Sequence, residues 1–99
     1  MSGKLDKLTL LKIDIGIHTD SKDDFLNFLL NSANEKIKRE GIVEEDTTEY
    51  TSIQVEYAAY LWRKRASAET AMPRFLRYEM NNLLMSQKGK KAKGNSNDV

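Results

Sequence analysis

Leu5, Leu8, Leu11 and Ile15 recur at near-helical spacing and predict a short first helix over about Lys4 to Ile13. Asp14, Gly16 and the run His18-Thr19-Asp20 interrupt the pattern, because glycine and short polar residues favour turns. Ser21-Lys22-Asp23-Asp24 then matches a capping box. The Ser21 hydroxyl can accept from the Asp24 amide, and carboxylates at 23 and 24 sit at the positive end of the helix dipole. The helix so opened should run from Lys22 to Glu40, about 19 residues or about 28 Å at the usual rise. Its apolar stripe is Phe25, Phe28, Leu29, Ser32, Ala33 and Ile37, widened by Leu26 and Leu30, and Gly41 is its stop.

The segment from Ile42 to Thr47 is acidic and turn-like. Asp46 followed by Glu49 imitates a second capping box, which places the start of a third helix within Thr47 to Thr51. From Ile53 to Trp62 nearly every side is apolar: Ile53, Tyr57, Tyr60 and Leu61 form one face, Val55, Ala58, Ala59 and Trp62 another. A helix apolar all round belongs at the centre of the fold. Arg63-Lys64-Arg65 closes it with positive charge at the negative end of its dipole. Ala66 to Met72 reads as a linker, and Pro73 suits the first turn of a last helix buried through Leu76, Met80, Leu83 and Leu84. After Met85 the chain is rich in Lys, Gly, Asn and Ser, and in isolation should be disordered. The expectation is an all-α fold: a small bundle of about four helices over residues 1–85, with a flexible basic tail over 86–99.

Ninety-nine residues make one domain of modest intrinsic stability, so partners can matter to it. Charge is distributed unevenly. Residues 1–61 carry 7 Lys/Arg against 12 Asp/Glu, a net −5, while residues 62–99 carry 9 against 3, a net +6. Such polarity suits a protein that meets unlike surfaces at its two ends or stacks head to tail with copies of itself. The absence of cysteine excludes disulfides and thiolate metal ligands. No segment reads as a signal peptide, and the longest near-apolar run, Ala58 to Trp62, is far too short for a membrane span.

Catalytic chemistry finds little to work with. His18 is the sole imidazole and lies in a loop beside Asp20 with no second histidine or cysteine to help bind a metal. Adjacent carboxylates such as Asp23-Asp24 and Glu44-Glu45 do not face one another on a helix, and no phosphate-binding glycine loop, G-x-S-x-G or H-E-x-x-H occurs. The expectation is a non-enzymatic protein without cofactor or metal. Its candidate interaction residues are the aromatic Tyr57, Tyr60 and Trp62, the basic Arg63, Lys64, Arg65, Arg74 and Arg77, and the acidic Glu44, Glu45, Asp46 and Glu49. Lys88, Lys90, Lys91 and Lys93 give the tail a basic character of its own.

The run from Gln54 to Arg65, followed by Met72-Pro73-Arg74 and an amphipathic last helix, resembles the head-tail connector (adaptor) proteins of siphophages and their prophages. Leu5 to Ile13 and the segment from Asp23 to Ile42 are similar to that family's first two helices, so the likeness covers about residues 4 to 85. It implies a structural subunit of a homo-oligomeric ring of about twelve copies on the portal, joined by heterologous interfaces, with DNA passing through without sequence recognition. It also implies a later completion or tail protein docked on the ring, a C-terminal segment reaching towards the portal, and residence at the head-tail junction of the virion after synthesis in the host cytoplasm. The alternative is a small helical nucleic-acid-binding regulator working through the basic half. Against that reading, the linker Ala66 to Met72 is long for a helix-turn-helix.

Overall fold

The computed structural model describes residues 6–97, with side chains described through Gly89. Four helices follow one another: α1 (Lys7–Ile15), α2 (Asp23–Arg39), α3 (Thr48–Ala66) and α4 (Arg74–Asn97). There is no strand among the described residues, and the expected all-α bundle is the fold. Leu5, which the spacing assigns to the first helix, lies outside the described residues.

Local chemistry sets the helix ends. Asp6 caps α1 by accepting from the Thr9 amide at 2.7 Å, and Gly16, at φ 77°, closes it in the left-handed region that glycine enters without strain. At α2 the expected Ser21 cap is not made: Lys22 occupies the cap position without a side-chain bond, and the Ser21 hydroxyl pairs with Thr19 Oγ1 at 3.2 Å. The Asp20 carbonyl accepts the Asp23 amide at 3.1 Å instead, so a backbone turn opens this helix. Gly41, at φ 95°, follows its end as expected. The cap of α3 is Thr47, whose hydroxyl accepts from the Tyr50 amide at 3.1 Å, one residue beyond the expected Asp46. Both residues are of types that cap helices, but only Asp46 has a glutamate three residues on, and the extended backbone at Thr47 decides between them.

Helix α3 is the axis of the fold, packed by all three others. Tyr50, Ile53, Ala58 and Ala59 have no exposure, and Val55, Tyr57 and Tyr60 have little. α2 contributes Leu26, Leu29, Leu30, Ala33 and Ile37, α1 contributes Leu11, and α4 contributes Leu76, Met80 and Leu83. The buried stripe of α2 is therefore rotated from the expected one, and Phe28 faces outward at 60% exposure. Leu26 and Leu30, expected only to widen the stripe, are its centre. Full burial of one such leucine contributes roughly 2 kcal/mol, so the rotation is set by which five aliphatic positions reach α3 together.

The last helix does not stop at Met85 but extends to Asn97. Gln87 clamps its middle to the α2–α3 loop: the Val43 amide donates to Gln87 Oε1 at 2.8 Å, while Gln87 Nε2 donates to the Val43 carbonyl at 2.7 Å and to Glu45 Oε2 at 2.8 Å. Gln87, Lys88, Lys90, Lys91, Ala92 and Lys93 are good helix formers interspersed among the glycines and serines of this segment, and a helix propagated from a packed first half continues through them.

Candidate interaction surface

The residues singled out in the sequence fall into three settings. Tyr57 and Tyr60 lie inside the subunit at 8% and 9% exposure, their rings edge to face with centroids 5.9 Å apart. Burial pushes the Tyr57 hydroxyl above its ordinary range, with Glu40 adding to the effect. These two tyrosines spend most of their surface on the core of their own chain. Trp62 is half-buried, with its ring 6.2 Å from that of Phe25.

The basic side chains are directed largely at their own subunit. Arg65 stacks its guanidinium 4.6 Å from the Phe25 ring centre and 5.2 Å from that of Trp62, joining the start of α2 to the end of α3. Arg63 reaches the Asp14 carboxylate at 3.7 Å, Lys64 lies over the Tyr60 ring and donates to its hydroxyl at 3.3 Å, and Arg77 meets Glu40 at 3.5 Å. Arg74, at the first position of α4, and Lys88, further along it, are exposed. The side chains of Lys90, Lys91 and Lys93 lie outside the described residues.

The acidic residues gather around the α2–α3 loop. Glu44 accepts from Asn34 Nδ2 at 3.3 Å, Glu45 accepts from Gln87, Asp46 lies beside it in the loop, and Glu49 is exposed in the first turn of α3. Among the described side chains, Glu44, Glu45 and Glu49 are not brought to Arg63, Lys64, Arg65, Arg74, Arg77 or Lys88.

Several groups escape a linear reading. Lys12 on α1 holds Asp23 at 2.8 Å and Asp20 at 3.0 Å, and those bonds raise the ammonium above its ordinary range. The Tyr50 hydroxyl donates to Asn34 Oδ1, and burial pushes that phenol up to about 12. Glu56 on α3 meets Glu79 on α4 carboxyl to carboxyl, and Oε1 of each is shielded from solvent with no donor at hand. Burial, the bond to Glu79 and its charge raise Glu56 to about 8, with Asp14 contributing further. Only the packing of α3 on α4 makes this pair, so residue spacing could not have shown it.

Large apolar side chains stay uncovered on α4, on the first two helices and, at Val43, in the α2–α3 loop. On α4, Phe75, Tyr78 and Met85 are 56%, 68% and 67% exposed and follow one another at helical spacing on the side away from Leu76, Met80 and Leu83. On the first two helices, Ile13 and Phe28 are similarly open, with Phe28 stacked on Phe25 at 6.1 Å. His18 is exposed in the α1–α2 loop, and among the described residues no group of three or more His, Cys, Asp or Glu is placed to hold a metal ion. No helix of the described residues is long and apolar enough to cross a membrane. No protein-family model, curated protein or solved structure matches the chain.

Proposed function

We propose that the chain is a structural adaptor of a tailed-phage head-tail connector, forming a ring on the portal through which DNA passes and on which later completion or tail proteins dock. The observation that carries this reading is the α4 stripe Phe75, Tyr78 and Met85, left open by a helix whose opposite side is fully used in the core. An exposed apolar row on a small chain marks a protein interface. Ile13 on α1 and Phe28 on α2 are exposed apolar side chains away from α4, and a heterologous, ring-closing contact requires two different surfaces. The sequence likeness to siphophage connectors supports the same assignment. So does the charge polarity, with the acidic α2–α3 loop of one copy facing the basic residues Arg74 and Lys88 of the next.

The engagement of Arg63, Lys64 and Arg65 with Asp14, Tyr60, Phe25 and Trp62 leaves them poorly set to take phosphates, which weighs against the nucleic-acid-binding alternative. The test is sedimentation of the full chain, alone and with purified cognate portal, beside a Phe75→Glu, Tyr78→Glu variant. Wild type should enter a ring or a portal complex, and the variant should remain a folded monomer. A variant that assembles like wild type would remove α4 from the interface.

A further inference from the structure

A cleft of about 680 Å³ opens where the start of α1, one side of α2, the α2–α3 loop and α3 converge. Asn27 and Asn31 on α2 line it, both exposed and neither hydrogen-bonded through its side chain among the described residues. Asparagine is a poor residue for a helix interior, so two on one face lower helix stability with no local return. Asn34, one turn further, is already held by Tyr50 and Glu44. At the floor sits Gln54, 4% exposed, whose Nε2 donates to the Leu30 carbonyl at 3.0 Å while its Oε1 has no donor. Native interiors rarely tolerate an unpaired carboxamide oxygen without a reason. Among the described residues the lining also carries the carboxylates of Asp6 and Glu44 beside the single cation of Lys7, so negative charge exceeds positive there.

We propose that this cleft binds an extended, lysine-bearing peptide segment of a partner protein. A carboxamide offers one acceptor and two donors, the complement of a peptide bond. Asn27 and Asn31 are separated by about 6 Å along the helix axis, against about 6.6 Å for alternate residues of an extended chain. Successive peptide groups on one edge of such a segment therefore meet the two asparagines in register. The carboxylates of Asp6 and Glu44 receive the ammonium group, and the same negative charge excludes nucleic acid. This assignment is independent of which assembly the subunit joins.

The probe is a fluorescent Ala-Lys-Ala-Lys-Ala-Lys peptide with blocked ends, titrated against the full chain and followed by anisotropy. Three comparison peptides replace lysine by glutamate, methylate alternate backbone nitrogens, or do both. Saturable binding of the parent peptide alone is expected. Asn27→Ala with Asn31→Ala should weaken it about tenfold, and Glu44→Gln several-fold with a shallower salt dependence. Both positions of the double variant are exposed, and an unchanged circular dichroism spectrum verifies its fold. Absence of binding, or binding indifferent to both the asparagine pair and N-methylation, would overturn the proposal.

Discussion

Glu56 of α3 and Glu79 of α4 share a carboxyl–carboxyl contact across the seam that docks the last helix, with no cation interposed. Asp14 from α1 faces the same pair and is itself held by Arg63. Because the folded value of Glu56, about 8, lies above its ordinary 4.5, folding takes up a proton there. The stability this provides is full below about 4.5 and disappears as the pH rises through about 8. Since both side chains are partly open to water, screening reduces the effect to the order of 1 kcal/mol. We expect a lower melting temperature at pH 9 than at pH 6, and expect Glu79→Gln to abolish most of the difference. Lys12 and Tyr50, whose values are raised from 10.5 and 10.0, lose their protons above this window. A flat profile for the wild type between pH 6 and 9 would show that Glu56 is not raised as described.

Tyr50 is fully buried and carries its hydroxyl to Asn34 across the α2–α3 packing. Replacing it by phenylalanine leaves the ring in place but strands Asn34 Oδ1. The expected loss is about 1–2 kcal/mol in urea denaturation. A double-mutant cycle with Asn34→Ala should recover a coupling of similar size.

Ala58 faces the centre of the bundle with no exposure. Ala58→Asp should cost about 3–5 kcal/mol, enough to unfold so small a chain, because no cation awaits a carboxylate there. Helical circular dichroism at 25 °C reports the outcome, and a native spectrum with an unchanged melting temperature would contradict the central position of α3.

Gln87→Ala should lower stability by about 1 kcal/mol by releasing Val43 and Glu45, and removal of residues 86–99 should cost at least as much. A chain read from composition alone past Met85 would lose nothing on that truncation. Chemical denaturation of the two variants separates the expectations.

How far the fold could be read before the structure depended on the range of the interaction concerned. The central place of α3 was legible because Ile53 to Trp62 is apolar on every side, which only a surrounded helix permits. Pro73 and Gly41 marked boundaries because their backbone preferences act locally. The rotation of α2 was not legible, since six apolar residues between Phe25 and Ala33 allow more than one stripe and only contact with α3 selects Leu26 and Leu30 over Phe28. The clamp from Gln87 to Val43 spans 44 residues, and the Glu56–Glu79 pair depends on helix register, so neither leaves a periodic trace. At the interaction surface the run Arg63-Lys64-Arg65 was legible as consecutive basic residues at a helix end. Their partners were not, because Arg65 over Phe25 and Trp62 is a tertiary arrangement. Tyr57 and Tyr60 look like interface residues by type, and their place in the core follows from the side of α3 they occupy.

Negative-stain electron microscopy of the full chain mixed with purified cognate portal tests most directly whether the protein is an assembly subunit. The expected result is an added ring of density beneath the portal, absent from portal alone and lost with the Phe75→Glu, Tyr78→Glu variant. Portal particles unchanged at saturating concentrations of a folded wild-type protein would contradict it.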